Sequence, residues 1–138
     1  MDVEAVINPV ILSKSDAKEC SWEACFSLPG YVGPVERSTS VEVQYLDGEG
    51  SVRTASLTGP AACIFQHEVD HLDGKLYIDH ISDDTELIEE NEFEEYAKVI
   101  IEGMNPTEVR KESSRERKRC SSSVPIYGCI NPCYIFVL

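Results

Sequence analysis

Two histidines four residues apart, with a glutamate beside the first, are the residues of this sequence best suited to chemistry. They lie in Gln66-His67-Glu68-Val69-Asp70-His71-Leu72. On a helix, residues i and i+4 lie one turn apart on the same face, so both imidazoles can bind one metal ion. Glu68 is then placed to take a proton from a water molecule at the metal. The pattern predicts hydrolysis at a metal centre; the alternative is a chance pair of core histidines.

The elements around this stretch can be predicted from turn and capping signals. Thr58-Gly59-Pro60 is typical of a helix start, with a hydroxyl for capping and proline in the first turn, and Gly74 is a natural helix end. Residues 41–46 alternate by twos, residues 47–50 form a turn, and residues 52–57 return as a second strand. The sequence therefore predicts a hairpin leading into a helix that carries the two histidines.

The remaining segments complete an α+β fold. We expect a β segment over residues 3–12, bent or at an edge because of Pro9, and a loop over residues 14–19. Residues 76–81 are predicted to form a short strand, and residues 83–102 a final helix with a glutamate-rich solvated face. The predicted architecture is short antiparallel strands packed around a central metal-binding helix, plus a C-terminal helix.

An open catalytic metal site needs a third protein ligand besides the two histidines. One option is a glutamate from the following helix, Glu89 or Glu90, as in zinc proteases. The other is a cysteine, for which Cys25 is best placed, in a segment flanked by glycine and proline. Cys63 lies one turn before the first histidine but is predicted to be a small core residue, and Cys20 a loop thiol. The residues alone leave the choice open.

Composition limits the class of protein. At 138 residues the chain is long enough for one domain with a core of its own, and its net charge of −13 argues against nucleic-acid binding by the whole surface. There is no signal peptide and no apolar run long enough to span a bilayer. The six cysteines fit a reducing compartment with free thiols and a metal-ligating thiolate better than a disulfide framework.

The character of the chain changes after Gly103. Residues 110–119 form a basic, serine-containing run, and residues 124–138 are apolar with no clear periodicity. We therefore divide the chain into a catalytic domain over residues 1–103 and a basic, then apolar, tail over residues 104–138 that is predicted to be disordered.

Two motifs resemble those of a known family, the peptide deformylases. The family motifs are Glu-Gly-Cys-x-Ser and Gln-His-Glu-x-Asp-His, and this chain has Glu23-Ala24-Cys25-Phe26-Ser27 and Gln66-His67-Glu68-Val69-Asp70-His71. The connecting residues are similar too, in Ile7-Asn8-Pro9, in Val35-Glu36-Arg37 and in the residues that follow His71. The likeness covers roughly residues 5–82. It implies a truncated deformylase-like catalytic domain.

The resemblance implies removal of the formyl group from the N-terminal formyl-methionine of new polypeptides. Cys25, His67 and His71 would hold one divalent metal ion, ferrous iron in this family or zinc in some members, with nickel or cobalt able to substitute. Glu68 would act as general base and then general acid. The backbone N–H of Phe26 would donate to the tetrahedral oxyanion.

Two further residues match positions that pair in the family to support the cysteine loop. These are Glu23 and Arg37, and the alternative for them is an exposed charged pair. The implied partners are formyl-methionyl peptides and, through the basic run, the ribosome, with no DNA and no membrane span. The implied compartment is the mitochondrion or plastid in a eukaryote and the cytoplasm in a bacterium; no presequence is visible.

The chain departs from the family pattern in two places. The family's glycine-rich first motif, which ends in a glutamine that donates to the oxyanion, should lie well before Ile7, and only six residues stand there. We therefore expect weak activity, lower by about a hundredfold or more. Ala24 replaces a glycine, which costs roughly 1 kcal/mol if a positive φ is needed and otherwise narrows the cleft. Either effect would change substrate choice before it abolished metal binding.

Two other functions stay open at this point. The first is a non-catalytic, deformylase-like binding protein that keeps the metal site; the retained Glu68 argues against it, and the missing glutamine argues for it. The second is a metallopeptidase of the zincin type, in which a glutamate replaces Cys25 as the third ligand.

Overall fold

The described part of the chain forms two four-stranded sheets and a helix. The computed structural model describes residues 5–81 and 87–93, and the backbone of residues 126–128 and 135–137. The strands are β1 (Ala5–Lys14), β2 (Lys18–Cys25), β3 (Leu28–Ser38), β4 (Ser40–Leu46), β5 (Val52–Thr58), β6 (Ile88–Glu89), β7 (Ile126–Gly128) and β8 (Ile135–Val137). The helix α1 spans Gly59–Leu72, and a 3-10 helix spans Tyr77–His80.

Most strand pairs are antiparallel. The first sheet has the order β5-β4-β1-β8 and the second the order β6-β3-β2-β7. Within them β8 joins β1, and β7 joins β2, in parallel, while the other neighbours are antiparallel. The predicted α+β class, with antiparallel strands and a helix, is confirmed.

The predicted hairpin is β4 and β5. In β4, Val41 and Val43 are buried while Glu42 between them is exposed, which is the period of two that a half-buried strand requires. The turn is held by the Asp47 carboxylate, which accepts the backbone N–H of Glu49 at 3.0 Å and that of Ser51 at 2.9 Å.

Strand β1 is bent where the sequence has Asn8-Pro9. Its register with β4 shifts between Ile7 and Val10, and Asn8 has a φ of 50°. Proline cannot donate to the ladder, and asparagine tolerates the left-handed region better than most residues, so the bulge forms there. Strand β1 lies between β4 and β8, so it is not an edge strand. Of the two alternatives expected from Pro9, the bend is therefore the one observed.

Helix α1 lies where it was predicted. It begins after Thr58, which makes no side-chain capping bond, contrary to expectation, and Gly74 with a φ of 72° follows its end. Ala62 and Phe65 pack on the valines of the first sheet. The Gln66 amide donates to the carbonyl oxygens of Ser38, at 2.9 Å, and Ala62, at 3.0 Å. This buried side chain therefore ties α1 to the end of β3.

The strand predicted over residues 76–81 is wrong, because this segment contains the 3-10 helix Tyr77–His80. The Asp79 carboxylate accepts the N–H of Leu76 at 2.8 Å, and the N–H of Asp79 donates to the Leu76 carbonyl at 3.0 Å. These local bonds satisfy the backbone groups that a strand would offer to a neighbour, so the segment turns.

Other boundaries also differ from expectation. Residues 88–89 form β6, paired with Tyr31 and Val32, instead of belonging to a helix; residues 90–93 are helical, and the rest of the predicted C-terminal helix lies outside the described residues. Strand β2 already begins at Lys18, within the predicted loop, and β3 contains the glycine and proline residues that follow Cys25.

The division at residue 103 stays a prediction, because residues 94–125 lie outside the described part. Within the predicted tail, the described residues include the short strands β7 and β8. Among the described residues, no helix has both the length and the apolar character that a membrane crossing needs.

Gly33 is sensitive to substitution because the side chains of Ile81 and Leu87, which follow the 3-10 helix, lie against it. A Cβ at this buried glycine would overlap Ile81 Cδ1 and would lie 2.9 Å from Leu87 Cδ2. Overpacking costs typically about 1–3 kcal/mol, and we expect Gly33→Ala to fall near the lower value because both atoms are side-chain ends that can rotate. Thermal unfolding should show a lower midpoint. Gly48→Ala, whose Cβ meets only Ala5 Cβ at 3.7 Å, is the control and should unfold like the unsubstituted chain.

Candidate metal centre

Cys25, His67 and His71 converge at one point between β2 and α1. Their ligand atoms, the Cys25 sulfur and one ring nitrogen of each histidine, all lie within 4.8 Å of one another. Cys25 Sγ is 3.3 Å from His71 Nε2. Cys25 ends β2, while the histidines come from successive turns of α1. One thiolate and two imidazoles are a donor set that suits a divalent transition metal.

The surroundings of Cys25 favour the thiolate. Burial opposes ionisation of this thiol, but the N–H of Ser27, 3.4 Å from the sulfur, and the ring of His67 outweigh it, so the pKa of Cys25 lies below its usual value. The thiolate is the form that binds metal. The thiol of Cys63 differs, since burial, then the charge of Glu19, raises its pKa to about 12.

Glu23 orients the first histidine. Its Oε2 lies 2.8 Å from His67 Nδ1, and both side chains are buried. With Nδ1 donating to the carboxylate, Nε2 carries the lone pair and can face the metal position. Strand β2, which carries Glu23, thus determines which ring nitrogen of His67 can face the metal position. The ring of Tyr77 adds a second restraint, stacking on His67 at a centroid distance of 6.4 Å and an interplanar angle of 15°.

Arg37 joins Glu23 to the helix. Its Nε lies 2.7 Å from Glu23 Oε1 and its second terminal nitrogen 2.9 Å from Glu23 Oε2, a bidentate pair. Its remaining terminal nitrogen lies 2.5 Å from Asp70 Oδ2. Glu23 is 1% exposed and Arg37 3% exposed, so the alternative of an exposed charged pair is wrong.

The charges of this network shift one another's pKa. Burial opposes ionisation of Glu23, but Arg37 and His67 outweigh it and lower the pKa of the carboxyl group. The pKa of Asp70 is likewise lowered, with Arg37 and His80 outweighing burial. The pKa of the Arg37 guanidinium is raised, since its two carboxylate partners outweigh its own burial. All three groups are therefore charged at neutral pH.

The other predicted residues lie close to the ligands. Glu68 is half-buried and adjacent to His67 on α1, and Phe26, which follows Cys25, is 78% exposed. A cleft opens beside Cys25. Its lining consists of Ala24, Cys25, Phe26, Leu28, Pro29, Gly30, Tyr31 and Glu90.

The alternative third ligands are not brought to the histidines. Glu89 and Glu90 are exposed, and within the described residues the ligand group contains Cys25 and not a glutamate. Cys63 is buried as predicted, with its thiol 3.6 Å from Glu19 Oε1. Cys20, expected as a loop thiol, lies in β2 and takes part in a disulfide bond, so among the cysteines that the structure describes the expectation of reduced thiols holds for Cys25 and Cys63.

Among the described residues, the non-glycine residue with a positive φ is Asn8, so Ala24 does not have a positive φ. The backbone penalty considered for this position is therefore not incurred. Ala24 is 9% exposed and lines the cleft, so its methyl group acts through packing.

Two contributors to the network were not found from sequence. Asp70 lies within the quoted motif, but nothing in the pattern links it to Arg37. His80 was assigned to a strand, and its contact with Asp70, at 2.7 Å, depends on the 3-10 helix that replaces that strand.

Comparison with known proteins places this site within a family. The family model described as polypeptide deformylase matches residues 1–86. Peptide deformylase 2 of Nostoc sp. is 43% identical over 95 residues, covering 69% of this chain and 53% of the relative. The peptide deformylase of Mesorhizobium japonicum is 47% identical over 76 residues, covering 55% of this chain and 43% of the relative. The chain belongs to the polypeptide deformylase family.

Solved structures agree with this assignment. The crystal structure of peptide deformylase from Thermotoga maritima matches with a TM-score of 0.55 and 44% identity, covering 56% of this chain and 52% of that one. A class I type b peptide deformylase from Acinetobacter baumannii with bound Met-Ala-Ser matches with a TM-score of 0.55 and 41% identity, covering 55% and 48%. The chain spans about half the length of the curated relatives it matches.

The geometry predicts how metal binding depends on each candidate ligand. We expect Cys25→Ala to lose tightly bound metal, because only two imidazoles remain, whereas Glu89→Ala and Glu90→Ala keep it. Metal content after dialysis against a weak chelator measures this directly. If Cys25→Ala retains one equivalent while a glutamate variant loses it, the ligand set is that of a zincin.

Proposed function

We propose that this chain is a metal-dependent amide hydrolase that removes the formyl group from the N-terminal formyl-methionine of nascent polypeptides. The observation that carries the proposal is the convergence of Cys25, His67 and His71 next to Glu68 in a member of the polypeptide deformylase family. We propose these three side chains as the metal ligands. The Acinetobacter structure, which contains Met-Ala-Ser, supports a peptide with an N-terminal methionine as the product.

The residues present fit a divalent ion. The pKa of Cys25 is lowered despite burial, and Glu23 holds His67 in the tautomer that leaves Nε2 as the ligand atom. A divalent metal, when bound here, supplies Lewis acidity and lowers the pKa of water. We propose ferrous iron, as the family resemblance implies, with zinc, nickel and cobalt as substitutes.

The protein's own groups would then carry the proton and the negative charge. Glu68 takes a proton from the attacking water as its oxygen adds to the formyl carbon. The backbone N–H of Phe26 donates to the oxygen that becomes negative. The carbon–nitrogen bond breaks as Glu68 passes the proton to the leaving amine, which gives formate and a free amino terminus. Glu23 and Arg37 keep the His67 ring oriented throughout.

The cleft beside Cys25 supports a peptide substrate. Phe26, Leu28 and Tyr31 provide apolar surface next to the proposed ligand, and Ala24 narrows the cleft where the family has glycine. An apolar side chain such as methionine can occupy such a surface. The ribosome stays a predicted partner, since the basic run on residues 110–119 lies outside the described residues. The organellar or cytoplasmic location and the reduced rate also stay predictions.

The test is hydrolysis of a formyl-Met peptide by the anaerobically purified, iron- or nickel-loaded chain. Glu68→Gln should lower kcat by about a hundredfold to ten-thousandfold, the typical contribution of general acid–base catalysis, with metal content unchanged. Glu89→Gln, an exposed acidic residue, is the matched control and should keep the full rate.

Each other outcome has a distinct meaning. Equal rates for Glu68→Gln and the unsubstituted chain would show that Glu68 is not the proton carrier. Bound metal without turnover in the unsubstituted chain would favour a deformylase-like binding protein over an enzyme.

A further inference from the structure

The buried network behind the candidate ligands ends at a partly exposed histidine. His80 Nε2 lies 2.7 Å from Asp70 Oδ2, and the His80 side chain is 34% exposed. The same oxygen of Asp70 also accepts from Arg37. A continuous chain of charged hydrogen bonds therefore runs from His67 through Glu23, Arg37 and Asp70 to His80.

Asp70 needs a second donor to be fixed in one orientation. The terminal torsion of a carboxylate is broad and two-fold, so a single bond to Arg37 leaves the group free to turn. His80 donates from a different element, the 3-10 helix, and so defines where Oδ2 lies. Arg37 in turn donates from Nε and its second terminal nitrogen to the two oxygens of Glu23.

A displacement of Asp70 would therefore reach the metal position. Arg37 is a rigid planar group, so a shift at its Asp70 end tilts its bidentate pair with Glu23. Glu23 Oε2 accepts from both Arg37 and His67, at 2.9 Å and 2.8 Å. Since these side chains are almost fully buried, water cannot replace a lost partner easily.

We propose that His80 is a positioning residue for the metal centre, which acts through Asp70, Arg37 and Glu23 on the orientation of His67. The proposal rests on the proposed function in that it takes Cys25, His67 and His71 as metal ligands. The 3-10 helix has its own restraints, the reciprocal bonds of Leu76 and Asp79. The His80 contact is thus not required to form that helix.

The experiment compares His80→Gln with His80→Asn in the full chain. Both variants carry the same amide donor, but glutamine extends far enough to reach Asp70 and asparagine is one methylene shorter. Lys75→Ala, an exposed residue on the same connection, is the control. Each protein is loaded with cobalt, and the visible absorption spectrum and the metal affinity against a chelator are recorded beside the unfolding midpoint of the metal-free chain.

We expect His80→Asn to shift the cobalt spectrum and to weaken cobalt binding about tenfold or more, as loss of a group that orients a ligand does. His80→Gln should restore both, and Lys75→Ala should change neither. An asparagine variant with a lower unfolding midpoint but an unchanged spectrum and affinity would overturn the proposal, because His80 would then be only structural. Equal effects of glutamine and asparagine would overturn it too.

Formyl-Met peptide hydrolysis, measured alongside, separates the two proposals. If the cobalt-loaded chain shows the spectral differences but hydrolyses no formyl-Met peptide, the proposed function fails and the role of His80 stands. If the chain hydrolyses the peptide and all His80 variants share one spectrum and one affinity, the proposed function stands and the role of His80 fails. A chain that binds no cobalt overturns the positioning role, since there is then no site to orient.

Discussion

The buried pair of Glu23 and Arg37 is the interaction on which the rest of the site depends. It joins β2 to β3, and each partner also bonds to α1, through His67 and Asp70. A buried carboxylate without partners would be strongly unfavourable, and a buried ion pair often stabilises a fold little compared with apolar residues. Its contribution here is orientation, because the pair determines which nitrogen of His67 faces Cys25.

The charges around the metal position explain why a cation suits it. Glu23 and Asp70 are negative and Arg37 is positive, while the pKa of Cys25 lies below its usual value, which favours the thiolate. When the thiol is ionised, this mostly buried region holds three anions and one guanidinium. A divalent ion would balance the remaining negative charge. The same electrostatics that lower the pKa of Cys25 thus favour metal binding.

The parts of the fold that could be predicted have strong local patterns. The spacing of His67 and His71 implies one helical face, and the alternation in residues 41–46 implies a strand. The proposed third ligand could not be chosen from spacing, since it depends on how β2 packs against α1; the family resemblance indicated Cys25. The contact between Asp70 and His80 depends on the turn after α1. The predicted strand over residues 76–81 did not indicate this contact. The segment turns instead, because the Asp79 carboxylate accepts a hydrogen bond from the Leu76 N–H.

Ala24 illustrates how packing decides the effect of a departure from a family pattern. Its φ is not positive, so the cost of replacing glycine in a left-handed conformation does not apply. Its methyl group instead belongs to a buried cluster with Val32, Ile88 and Phe93, which joins β2 to β3 and β6. Glycine would leave space in that cluster, whereas alanine fills it and also borders the cleft. The methyl group of Ala24 is therefore accommodated on the core side, and it also helps to shape the cleft beside Cys25.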